Sequence, residues 1–273
     1  MAVLSRFHTC INRAVTERLC HTCEAFSLLL GLDLQNNAVL LGLALEASDM
    51  NPRWRRQILL TFFAVAMAYV EATVVVYLRQ VHYPENLLVI FPPMILSEPD
   101  LVIELAREVA TVVMILAVAL LSAKGLVAVF AVFVYVFGLW DIFYYFWLKA
   151  TIGWPVSWTE WDILFLIPWA WLGPWITAAA IALLFALWGG RVLAQGGTYH
   201  FPTWAAISFV VGSLLTVAAF LQPAVPYISG GLAAFAEFQP NGFWWPLYLA
   251  GYVLMALGLF LVLRMGERPQ QKL

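Results

Sequence analysis

Nine side chains in this sequence sit in surroundings that do not suit them. Glu71, Glu104, Arg107, Glu108, Asp141, Tyr144, Tyr145, Lys149 and Asp162 stand in stretches otherwise fit for lipid. Ionisable groups are costly there, so a segment that keeps them has a pairing or a use for them. Carboxylates can hold a proton or a hard cation, or act as a general base. Arg107 and Lys149 can set the charge state of those carboxylates, or hold an amphiphile headgroup against Trp and Tyr. The dipeptide Trp-Asp occurs twice, at Trp140-Asp141 and Trp161-Asp162, inside the aromatic stretch 138–175.

Glu71, Glu108 and Asp141, with His82 as an outer member, form a weak candidate set for a metal ion. Other chemistries find less support. The histidines are His8, His21, His82 and His200, none deep in an apolar run, which argues against bis-His haem. The paired Glu-x-x-His motifs of a di-iron bundle are missing. So are GxSxG, HExxH and a glycine-rich phosphate loop. Ser122, Ser157 and Ser208 have no histidine near them in sequence to activate them. No long basic run invites nucleic acid, and no cofactor is nominated.

At the N-terminus His8, Cys10, Cys20, His21 and Cys23 resemble a closed zinc set. However, nine residues separate HTC from CHTC, and no second well-spaced pair follows. With all three cysteines before residue 24, no disulfide framework is expected in the main body. The apolar run 26–45 is broken by Asp33, Gln35, Asn36 and Asn37. No cleavable signal peptide is evident, because the opening basic residues lack an unbroken apolar core behind them. Met50, followed by NPRWRRQILL, reads as a natural start. Residues 1–49 are therefore expected to be an extension, from an upstream start or loosely ordered.

The elements that must position the nine side chains are membrane helices. Of 273 residues, 63% are hydrophobic and 11% charged, roughly half the charge of a soluble domain. The mean hydropathy is +0.87, and the 13 tryptophans suit interfacial belts. Expected is an all-α, polytopic bundle of about six spans within residues 50–273. Their ranges are near 58–78, 101–123, 126–148, 163–187, 204–221 and 244–263, each close to the ~20 residues a bilayer core requires. Pro168 and Gly173-Pro174 predict a kink or broken turn in the fourth. Residues 228–238 could form a short interfacial helix.

Helical rise then sets depth. Glu71 lies eight residues before Arg79, roughly 12 Å below the outer end of the first span. Glu108 and Asp141 fall at a similar depth in the second and third. Facing agrees: Glu104, Arg107, Glu108 and Thr111 share one helix face, as do Asp141, Tyr144, Tyr145 and Lys149. Glu71, Val75 and Leu78 share another, which continues towards His82. A common polar pocket in the outer half is the expectation. Arg107 can pair there with Glu71 or Asp141, and Lys149 with Glu104 or Asp162.

Sidedness follows from the distribution of basic residues. Arg53, Arg55, Arg56, Lys124, Arg191, Arg264, Arg268 and Lys272 fall on one side. The other has Arg79, Arg107 and Lys149 among many acids. Both termini are thus expected in the cytoplasm, with the acidic aromatic side outward.

The stretches EATVVVYLRQVHYPE (71–85), ELAREVATVVM (104–114), GLWDIFYYFWLK (138–149) and WDILFLIPWAWLGP (161–174) carry a resemblance. Over residues 57–188 the chain resembles a family of multi-pass bacterial integral membrane proteins of uncharacterised activity. The resemblance implies a bacterial multi-pass protein and names no reaction; the inner membrane is the expected location. Three functions stay open. The cluster binds or conducts a proton or small cation; it belongs to a structural or accessory subunit of a membrane complex; or a carboxylate acts as general base on a lipid-like substrate. The bilayer is the expected surrounding, with a headgroup or a membrane protein as the other partners considered.

Overall fold

The computed structural model describes residues 51–94, 96–196 and 199–265. The expected zinc set, the expected extension and the Met50 start all lie outside them. Of the described residues, 51–55 belong to one unit and those from Arg56 onward to a second. In the first, Asn51 Oδ1 accepts from Arg53 N at 3.0 Å, which starts the opening helical turn.

Six long helices follow in order. These are α1 (Pro52–His82), α2 (Glu98–Ser122), α3 (Leu126–Ile152), α4 (Trp175–Gln195), α5 (Thr203–Leu221) and, near the end, α7 (Trp245–Met265). A 3-10 helix (Gln222–Gly230) and the five-residue α6 (Gly231–Phe235) stand between α5 and α7, so the interfacial helix expected over 228–238 is two short pieces. Five of the long helices are apolar and long enough to cross a membrane, as a multi-pass membrane protein requires. α2 is not among these five, and its first half carries Glu98, Asp100, Glu104, Arg107 and Glu108.

The ends of these helices follow from their local sequence. Ser97 caps α2: its Oγ accepts from Asp100 N at 3.3 Å, and Pro99 occupies the first turn, where its missing N–H costs nothing. α3 stops at Gly153, whose φ of 78° suits a residue without Cβ, and whose N–H bonds Lys149 O.

The all-α expectation needs one correction. Residues 161–174 do not continue a helix. They form an antiparallel hairpin of β1 (Trp161–Phe165) and β2 (Trp171–Pro174), pairing Asp162 with Gly173 and Ile163 with Leu172. The expected span 163–187 is replaced by this hairpin followed by α4. Pro168 and Pro174 each remove an N–H and push the preceding residue out of the helical region. β1 alternates Trp161, Ile163 and Phe165, aromatic and β-branched residues that suit a strand.

Helix directions alternate. Arg56 Nη1 on α1 donates to Ser122 O at the end of α2 (3.3 Å), so these two run antiparallel. On α3, Tyr135 OH meets Thr61 Oγ1 at 2.8 Å and Trp147 Nε1 donates to Val65 O at 3.2 Å, so α1 and α3 run the same way. α4 and α7 are also parallel, joined by Tyr248 OH to Thr177 O and Trp188 Nε1 to Leu259 O, each at 2.8 Å. The closest crossings use glycine. Gly138 of α3 meets the α4 backbone at Ala182 and Ala186, and Gly212 of α5 meets α7 at Gly251 and Met255. Small residues let helix backbones approach in membranes, where no hydrophobic effect drives the helices together.

The apolar core has several parts. Leu60, Ala64 and Ala68 of α1 pack with Ile115, Ala119, Val132, Val136 and Leu193 at one end of the bundle. At the other, Ala170, Leu172, Ala224 and Phe238 seat the hairpin beneath the connection after α5.

Candidate functional site

Between α1, α2, α3 and the hairpin lies a cavity of about 230 Å³. Its walls include Glu71, Arg79 and His82 from α1, Glu104, Arg107, Glu108 and Thr111 from α2, and Trp140, Asp141, Tyr144 and Tyr145 from α3. Asp162 and residues 163–166 of the hairpin close it on one side. Eight of the nine side chains singled out in the sequence therefore share one cavity. Lys149 is the exception.

Each carboxylate can be traced to its partners. Arg107 pairs with both Glu71 and Glu104, and Glu71 Oε2 also accepts from Thr111 Oγ1 at 3.3 Å. This is one of the pairings expected for Arg107. Glu108 is buried, and its two oxygens accept from Leu166 N at 3.1 and 3.0 Å. A helix carboxylate thus holds the backbone where the hairpin turns, a donor that would otherwise be stranded. Asp162 is 4% exposed; it accepts from Tyr145 OH at 3.1 Å and from Ile163 N at 3.0 Å.

Asp141 differs from the other four. Among the described residues it has neither an ion pair nor a hydrogen bond, although it lines the cavity beside Asp162. The Tyr144 hydroxyl is equally without a hydrogen-bond partner there. Trp140, 9% exposed, lines the same wall, and its indole N–H is unpartnered.

The basic groups nearby are already engaged. Arg79 is 4% exposed, lies 4.1 Å over the Trp154 ring and donates to Leu87 O at 3.2 Å. Lys149 pairs with neither Glu104 nor Asp162, contrary to expectation. Its Nζ turns back along α3 to Gly153 O (2.9 Å) and Pro155 O (2.8 Å), where the helix leaves its last carbonyls free. Above the cavity, Tyr83 OH donates to Ile90 O at 3.1 Å and accepts from Met94 N at 2.9 Å. Burial raises its phenol above the usual value, so it stays a neutral donor.

Glu71, Glu108, Asp141 and His82 all line the cavity, yet among the described residues no three His, Cys, Asp or Glu side chains converge to hold a metal ion. Glu71 is drawn to Arg107 and Glu108 to Leu166, which leaves no shared oxygen cage.

Sequence reasoning placed Arg79 at the outer rim and missed its burial in the site. The signal was present: Arg79 stands eight residues after Glu71, on the face carrying Val75 and Leu78. The hairpin contact of Glu108 could not have been read, since its partner is a backbone N–H brought 58 residues along the chain.

No family model matches the chain, and neither does any curated protein or solved structure.

Proposed function

We propose that this is a multi-pass protein of the bacterial inner membrane that binds a small cation in an outward-facing acidic cavity. Six spans with both ends cytoplasmic account for the alternating helix directions and for the basic residues at one end. The resemblance of stretches 71–85, 104–114, 138–149 and 161–174 to bacterial multi-pass proteins supports the setting.

A single observation carries the function. Five carboxylates and two guanidinium groups line the cavity, and Asp141 alone among the carboxylates has no partner in the described residues. A carboxylate kept in a low-dielectric cavity is stabilised by an incoming positive charge. Calorimetry in lipid nanodiscs, titrating protons and inorganic and organic monovalent cations, tests this. Asp141→Asn is expected to remove saturable binding while the thermal midpoint holds. Equal binding by both proteins would refute the reading.

A structural reading is favoured for part of the cluster. Arg107 with Glu71 and Glu104, and Glu108 with Leu166, satisfy one another and tie α1, α2 and the hairpin together. Those groups shape the cavity, and Asp141 supplies its free charge.

A further inference from the structure

We infer that the ligand of this cavity is an organic ammonium ion with a short apolar body. This rests on the cation-binding reading above and names its ligand class.

Size is the first argument. A cavity near 230 Å³ exceeds several times the ~30 Å³ that one water occupies in the liquid. It is also smaller than the ~300–1,000 Å³ of pockets that enclose drug-sized ligands. A headgroup with a few carbons fits within it.

The lining mixes carboxylates, aromatic rings and apolar side chains. At one wall Asp141 and Asp162 stand with Trp140, Tyr144 and Tyr145, the two tyrosine rings 5.1 Å apart and edge to face. Carboxylates beside aromatic faces recognise alkylated ammonium groups, through charge and through the ring quadrupole. Val75, Leu78, Ile90, Pro93, Leu96 and Leu101 also line the cavity, interspersed with the glutamates and arginines of α1 and α2. Those side chains favour carbon over the water shell of an inorganic ion.

The alternatives fit less well. A metal ion finds no three converging ligands among the described residues. An anion would need a free basic group, yet Arg107 is held by two glutamates and Arg79 by Trp154 and Leu87.

The test is calorimetry on the full chain in nanodiscs, with hexyltrimethylammonium, tetramethylammonium, hexanol and sodium as probes. Hexyltrimethylammonium is expected to bind one per chain, at least tenfold tighter than tetramethylammonium, with no competition from hexanol. Asp141→Asn is expected to weaken it at least tenfold. Leu101→Trp, which takes up apolar space in the cavity and removes no carboxylate, should weaken hexyltrimethylammonium while sparing tetramethylammonium. This second variant keeps the test decisive if Asp141→Asn does not fold. Saturable binding of sodium or protons but not of either ammonium would overturn the ligand class and leave the acidic cavity standing. Absence of binding by every cation would overturn both. Equal hexyltrimethylammonium uptake by wild type and both variants would show partition into lipid, which also overturns the inference.

Discussion

At the scale of single residues, similar carboxylates in one cavity have been given different work by their partners. Arg107 is shared between Glu71 and Glu104, so Arg107→Leu removes the one cation that both carboxylates pair with in a low-dielectric wall. A loss on the order of 3 kcal/mol is expected, read as a lower thermal midpoint in detergent. Glu108 separates two kinds of loss. Glu108→Ala leaves Leu166 N–H without an acceptor, at about 1–3 kcal/mol. Glu108→Gln keeps one acceptor oxygen and should retain most of the stability, so the two variants unfold at clearly different temperatures. Much of this site was legible in the sequence, because carboxylates in apolar helices announce themselves and the 3.6-residue period fixes their face. The partners were less so. Lys149 looked like a pocket residue by spacing, but its flexible stem reaches the free carbonyls at the α3 terminus instead.

At the scale of elements, the hairpin marks where sequence periodicity failed. Residues 163–174 are as apolar as a span, and hydropathy cannot tell a strand from a helix in a short run. The two prolines carried the information, read as a kink when they stop the helix altogether. The helix pairs are a second lesson, since only packing shows which glycines sit at crossings. A Cβ added at Gly212 would lie 2.5 Å from Met255 N and 2.6 Å from Gly251 O, both backbone atoms that cannot turn aside. Gly212→Val is therefore expected to force α5 from α7 and cost at least about 1–3 kcal/mol. Gly242→Ala, with nothing within 4 Å, serves as the neutral control. Equal unfolding temperatures for the two would remove the tight crossing from the account of stability.

At the scale of the whole molecule, the open matter is how the bundle sits in a bilayer. Five helices qualify as spans by length and apolarity, and α2 is the one that does not. Yet α2 cannot be set aside, because Arg56 bonds its last turn while Glu71 and Thr111 meet across its middle. Side-chain contacts thus join it to α1 at two levels, which is why the proposed arrangement counts α2 as a sixth span. The charged half then needs shelter, which the cavity wall supplies. The proposed six crossings with both ends cytoplasmic put Ser157 and Gly242 outside and Lys124 inside. In a chain with Cys10, Cys20 and Cys23 replaced by serine, single cysteines at Ser157, Gly242 and Lys124 can be labelled by a membrane-impermeant maleimide in intact cells. All three positions are exposed, so access depends on sidedness alone. The first two are expected to react at once and the third only after permeabilisation. Reaction of Lys124→Cys in intact cells would put the short α2–α3 connection outside, and the six-span arrangement would fall with it.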